Sequence, residues 1–175
     1  MLTGCGGQNQ ELERMMAFRA SLLAGMGCSF QAVITADYGE ELYTFTLDCR
    51  SDQEGGVTFT VTEPESISGI SGHISASGGK LTFDDDQALA FELLADGQLT
   101  PVSVPWLLVK TLRGGYVTAC GREGDTMRVS IDDSYREDAL RLDIWFSGND
   151  RPQAAQVLWA DRRILSLEVK DFEIL

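Results

Sequence analysis

The chain has 175 residues, enough for one domain with a substantial core and too few for a second full domain. Its 27 Asp and Glu against 14 Lys and Arg leave a net charge of -13. That sign argues against nucleic acid, whose phosphates it would repel, and against electrostatic adsorption to anionic lipid. No apolar run approaches the ~20 residues that a spanning helix needs, so any membrane association would come from a lipid anchor or a protein partner.

In chain order, Leu2-Thr3-Gly4-Cys5 resembles a bacterial lipobox: an apolar residue, two small residues and a cysteine whose sulfur receives a diacylglyceryl group. The expectation is the end of a truncated or misassigned signal sequence, with lipid attachment at Cys5 and residues 1–4 outside the mature protein. Residues 1–8 are rich in Gly and Gln and predict a tether; residues 9–175 form the single domain. Leu12, Met15, Met16, Arg19, Leu22, Leu23 and Met26 recur at helical spacing, from a start at Asn9 or Gln10 to an end near Ala24 before Gly25 and Gly27. Their Met-rich face is assigned to the core in preference to an adaptable cover for another apolar surface.

The period then switches to two. "CSFQAVITAD" alternates loosely, and "ELYTFTLDCR" places Tyr43, Phe45, Leu47 and Cys49 on one face with Thr44, Thr46 and Asp48 on the other. "VTFTVTEP" repeats the pattern after the turn "SDQEGG", so a hairpin with a threonine-rich wet face is expected. "GISGHISAS", "KLTFDD" and "ALAFELL" suggest a meander, with the glycine pairs at 55–56, 78–79 and 114–115 assigned to tight turns. "LTPVSVPWLLVKTLRGG" breaks the rhythm. Two prolines set its start, Trp106, Leu107, Leu108, Val109 and Leu112 make it almost wholly apolar, and Gly114 stops it, which predicts a short buried helix lying across a sheet. "GYVTACG", "DTMRVSID", "ALRLDIWFS", "QAAQVLWA" and "ILSLEVKDFEIL" complete a set of ten or eleven strands, spaced as in a strongly curved antiparallel sheet.

Chemistry-bearing residues are few. Cys28, Cys49 and Cys120 show no CxxC spacing, and with one histidine in the chain a structural zinc site is poorly supported. Three is an odd number, so at least one thiol stays free unless Cys5 pairs; a disulfide between two of the three is permitted in an exported protein, with no pairing assignable. His73 is the only ordinary general base near neutral pH, and no Gly-x-Ser-x-Gly elbow accompanies it; an exposed strand histidine is the simpler reading. Asp84-Asp85-Asp86 lacks the spacing of a calcium loop and is assigned to a solvated turn. Trp145 should project outward from a strand whose Leu142, Ile144 and Phe146 face the core, needing a neighbour or partner to cover it. Trp106 is the best candidate for lining a cavity, though core packing accounts for it equally well.

The order of elements resembles the LolA/LolB-like lipoprotein-carrier superfamily, with uncharacterised lipoproteins of Gram-positive bacteria as the nearest branch. The residues that carry this are "FTVTEPESISGISG", "GGKLTFDD", the internal P-x-x-x-P-W-L-L helix, and the ending "WFSGNDRPQAAQVLWADRRILSLEVKDFEIL". The resemblance covers nearly the whole chain from about Asn9. It implies an α+β, mostly β fold: an antiparallel half-barrel of about 11 strands whose concave face is covered by helices, enclosing an apolar cavity. The arginine that classical carriers use inside the barrel has no matching position here.

These readings together predict a non-enzymatic lipoprotein, anchored through Cys5 on the extracytoplasmic face of the bacterial cell membrane. It would hold an apolar, acyl-chain or lipoprotein-like ligand among Phe45, Phe59, Phe83, Phe91, Trp106 and Leu107, with no cofactor, no metal and no nucleic acid. The alternative is an envelope protein-protein interaction module with a closed core and no ligand, related to sporulation or cell-wall remodelling. The two differ in whether the interior is open or filled by side chains.

Overall fold

The computed structural model describes the backbone of residues 6–82 and 99–175. Helix α1 (Gly6–Ala24) is followed by β1 (Cys28–Asp37), β2 (Leu42–Ser51), β3 (Val57–Glu63), β4 (Ser71–Ser75) and β5 (Gly78–Thr82). Helix α2 (Val104–Gly114) then precedes β6 (Tyr116–Glu123), β7 (Thr126–Asp132), β8 (Arg141–Phe146), β9 (Pro152–Trp159) and β10 (Arg162–Ile174). All ten strands form one antiparallel sheet in the order β5-β4-β3-β2-β1-β10-β9-β8-β7-β6. The first and last strands therefore pair at its centre, and each flanking half is a simple meander. Ten of the eleven predicted strand segments correspond to these strands. The eleventh, "ALAFELL", lies outside the described residues, as do Asp84-Asp85-Asp86.

Side-chain alternation sets the two faces. Cys28, Phe30, Ala32, Ile34 and Ala36 of β1 are buried while their neighbours are half-buried, and Val57, Phe59 and Val61 repeat this in β3. In β2, Phe45, Leu47 and Cys49 are buried as predicted, but Tyr43 is 49% exposed, because it sits at the hairpin end, beyond the point where β3 stops pairing at Thr46. In β10 the register slips between Ser29 and Gln31 of its partner, and Asp171 takes a positive φ of 52°. This bulge shifts the phase by one, so Phe172 turns inward after Leu165, Leu167 and Val169.

One prediction about turns is corrected. Gly78 and Gly79 do not form the β4–β5 turn; they pair in the ladder with Ser75 and Ile74, and Ala76-Ser77 makes the two-residue turn. The ladder satisfies more backbone groups when it closes this tightly, and two glycines raise no steric objection to a strand. The other two pairs end elements as expected.

The curvature of the sheet follows from α2. This helix packs against β2 and β3 on one side and against β7 on the other. Strands β3 and β7 are six spacings apart in the sheet, about 29 Å if the sheet were flat, whereas an 11-residue helix is only about 16 Å long. The sheet must therefore curl around the helix, and the apolar residues on its concave side become one core with Leu107, Leu108, Val109 and Leu112. Each such side chain contributes roughly 1.5–3 kcal/mol on burial.

Helix α1 completes the cover. Met15, Phe18 and Leu22 are buried, and the Phe18 ring meets Phe146 of β8 edge-on at 5.1 Å and Phe172 of the central β10 at 5.9 Å. The helix begins at Gly6, inside the predicted tether, since a helix already nucleated by packing extends cheaply past weak formers such as glycine. The Met-rich face is divided: Met15 is core, whereas Leu12, Met16, Leu23 and Met26 are 39–65% exposed, which corrects their assignment to the core. A helix seated on a curved sheet buries one stripe; Leu12, Met16 and Leu23 lie beside it, and Met26 lies beyond the helix end. Arg19 ties the two helices together. Its Nε donates to the carbonyl of Leu112 at 2.7 Å and its Nη2 to those of Gly115 at 2.9 Å and Thr111 at 3.3 Å. These are terminal carbonyls of α2, so a charge on one helix caps the negative end of the other.

The convex face is polar. Asp143 is buried there, accepting from Ser130 Oγ and Arg128 Nη2, each at 2.6 Å. Trp145 points outward as predicted; the Arg128 guanidinium covers its ring at 5.4 Å and its Nε1 donates to Glu123 at 2.8 Å. Hydrogen bonds from Trp145 and Arg128 hold the Glu123 carboxyl below its usual range.

Two outcomes follow from this geometry. The β9–β10 turn places Ala160 and Asp161 at φ of 48° and 60°, the left-handed pair that a two-residue hairpin of type I′ demands and that Ala tolerates poorly. Replacing Ala160-Asp161 by Asn-Gly should raise stability in urea unfolding by about 1 kcal/mol; no gain would show that the turn is unstrained. Arg19→Met keeps the side-chain length and removes three bonds, and should cost about 2 kcal/mol. Hydrogen exchange should show the loss concentrated in the last turn of α2 and spare β1 and β10.

Candidate functional site

Helix α2 is apolar on most of its surface and polar along one line. Its start is shaped by Pro101 in a preceding 3-10 turn, where Thr100 and Ser103 cap each other, and by Pro105 in the first turn, where no amide donor is needed. Burial of Leu107, Leu108, Val109 and Leu112 against the sheet then fixes its rotation. Trp106, Lys110 and Arg113, at i, i+4 and i+7, are left on the opposite side.

That line forms one wall of an open cleft of about 830 Å³. The facing wall is the β2–β3 turn with Asp52, Glu54, Gly55 and Gly56, and the β4–β5 hairpin with His73, Ser75, Ala76 and Ser77. Asp52 shapes the turn: its Oδ1 accepts from the amides of Glu54 and Gly56, both at 2.9 Å. Gly55 takes a φ of 89°, and a Cβ there would stand 3.1 Å from Arg113 Nε. At Gly56 a Cβ would stand 2.6 Å from Asp52 Oδ2 and 2.9 Å from His73 Cε1. Glycine at both positions lets the turn, the imidazole and the guanidinium share one small space.

The polar side chains differ in how far they are already engaged. Lys110 Nζ lies 3.2 Å from Asp133 Oδ2 beyond β7 and 5.3 Å from the Trp106 ring centre. Arg113 Nη2 donates to the carbonyl of Gln53 at 2.8 Å, while its Nη1 is buried with no hydrogen-bond partner. His73 is exposed on β4, as predicted, with Nδ1 3.2 Å from Thr58 Oγ1. No group of three or more potential metal ligands occurs among the described residues.

Of the residues expected to line an apolar cavity, Phe45, Phe59 and Leu107 are 2%, 1% and 2% exposed and belong to the core cluster. Trp106 packs against the edge of that cluster and borders the cleft. Phe83, Phe91 and the lipid-attachment residue Cys5 lie outside the described residues. Cys28, Cys49 and Cys120 are free thiols. Burial pushes all three thiols up, Cys49 most strongly, so none is poised as a thiolate. Lys110, Arg113 and Asp52 were not singled out by sequence, and Gly55 and Gly56 were expected only as a tight turn. The signal that could have found the first two is the i, i+4, i+7 line of polar or amphipathic side chains on a helix otherwise apolar.

No protein-family model matches the chain and no curated protein matches it in sequence. Among solved structures it is similar to an uncharacterized conserved protein from Thermus thermophilus, with 13% identity and a TM-score of 0.48 over 95% of this chain and 88% of that one. A LolA superfamily protein from Nitrosomonas europaea shares 8% identity at a TM-score of 0.46, covering 94% and 93% of the two chains. A DUF1329 family protein from Desulfovibrio piger shares 7% at 0.47, covering 96% and 93%.

Proposed function

We propose that this chain is a non-enzymatic extracytoplasmic protein that binds an apolar, acyl-chain-like ligand, and that Cys5 carries the lipid that holds it at the membrane. The ligand enters at the cleft and passes between α2 and the β2–β5 half of the sheet. The observation that carries this reading is the open cleft of about 830 Å³, which begins at the Trp106 ring where the apolar side of α2 meets the core. In this reading the acyl chain inserts among the core residues Phe45, Phe59 and Leu107, with Phe83 and Phe91 completing the proposed lining. Each buried methylene contributes about 0.8 kcal/mol, so a dozen give about 10 kcal/mol. That exceeds the lower estimates of what association costs.

A second reading, an interaction module with a closed core, is favoured by the near-complete burial of Phe45, Phe59 and Leu107. The chain has three tryptophans, which makes the two readings separable. A Trp145→Phe, Trp159→Phe variant keeps only Trp106, and a brominated fatty acid should quench its fluorescence saturably at micromolar concentration. Native mass spectrometry of protein taken from membranes should show bound lipid. Absence of both signals would leave the closed-core module as the function.

A further inference from the structure

Among the described residues, three buried side-chain polar atoms lack a hydrogen-bond partner, Thr111 Oγ1, Arg128 Nε and Arg113 Nη1, and only the last belongs to a residue lining the cleft. Arg14, Arg128, Arg136 and Arg141 all rest on carboxylates, as expected in a chain with nearly two acids for every base. Arg113 does not. Its guanidinium is oriented by the single bond from Nη2 to the Gln53 carbonyl, packs beside Gly55, and leaves Nη1 buried and unpartnered. A buried charged donor without an acceptor costs more than an ordinary lost hydrogen bond, and a guanidinium fixed in advance loses little freedom when an oxyanion arrives. Of the nearby acids, Asp52 Oδ1 is engaged by two turn amides and Asp133 is paired with Lys110, and neither these nor Glu54 on the facing wall makes a hydrogen bond with Nη1. Trp106 lies two turns away on the same helix line, so an extended molecule can place its apolar part on the indole while its polar end meets Arg113.

Resting on the acyl-ligand reading above, we infer that the ligand of this cleft is an anionic amphiphile whose carboxylate or phosphate oxygen accepts from Nη1 of Arg113, with Lys110 adding positive charge beside it. The anionic head gives a partner to the buried Nη1 in a cleft whose two cations share one helix face, opposite Asp52 and Glu54.

Equilibrium binding of three probes of equal chain length, a fatty acid, an alkyl phosphate and the corresponding fatty alcohol, together with chainless inorganic phosphate, tests this. The wild-type protein should prefer the fatty acid or the alkyl phosphate over the alcohol by about tenfold or more, the scale of a charge-assisted hydrogen bond. The two anionic probes show which oxyanion is preferred, and inorganic phosphate shows whether the head binds without a chain. Arg113→Gln should abolish the preference for acid over alcohol, and Arg113→Lys should restore part of it. Binding of acid and alcohol with equal affinity by the wild type would overturn the head-group assignment and leave acyl binding standing. Binding of neither would overturn both. Should Arg113→Gln unfold, the wild-type comparison and Lys110→Gln, which should lower the preference about threefold, still decide the matter.

Discussion

A ten-stranded antiparallel sheet with an apolar inner face stays folded only if that face is kept from water, and the whole structure depends on α2 doing so from the middle. The helix is short, yet it touches β2, β3 and β7, which a flat sheet would hold far apart. Its attachments are of two kinds. Leu107, Leu108, Val109 and Leu112 provide the non-directional term, and polar ties fix where the helix sits: Arg113 to the Gln53 carbonyl on one half, Lys110 to Asp133 on the other. Burial alone would tolerate sliding, since apolar contact scales with area and not with register. The two polar ties on opposite halves remove that freedom and hold the sheet at one curvature.

Helix α1 depends on α2 in turn. Arg19 is partly buried with no carboxylate partner, and burial lowers its pKa. Its charge is tolerated because three carbonyls at the negative end of α2 face it. At the other end of α1, buried Glu11 meets Arg14 and Arg122, and Arg14 also reaches Asp150 in the β8–β9 turn. The charges of α1 are thus spent on locating the helix against the β6–β9 half, while Phe18 bridges from β8 to β10. The inner face is closed by apolar contact and the helix ends are closed by charge.

The alternation of Phe45, Leu47 and Cys49, of Val57, Phe59 and Val61, and of Leu142, Ile144 and Phe146 was legible because a sheet with one wet face writes its orientation at period two. The buried α2 was legible for the same kind of reason, as a prolonged apolar run between prolines and glycine. Where the reading failed, a non-local contact had overridden a local preference. Gly78-Gly79 has the composition of a turn, but ladder pairing with Ile74 and Ser75 placed the turn one step earlier. Leu12, Met16, Leu23 and Met26 have helical spacing, and spacing cannot say which of two adjacent apolar stripes the sheet will cover. Arg113 and Asp52 are some sixty residues apart in the chain, and only the curl of the sheet brings their elements to one cleft.

The cleft sits where the two demands on α2 meet. The helix must bury one side completely and keep enough polarity on the other to be pinned, so its exposed line consists of side chains with an apolar body and a polar tip: Trp106, Lys110 and Arg113. The partner wall cannot be bulky, because β2 and β3 must turn within reach of Arg113, and Gly55 and Gly56 meet that need. The result is a gap walled by an indole, two cations and a glycine turn at the margin of the apolar core. A fold built only for stability would fill such a gap or pair Arg113, as it pairs Lys110, with one of the chain's many carboxylates. Here Asp52 is turned to cap its own loop, and the guanidinium beside it keeps one buried nitrogen without a partner.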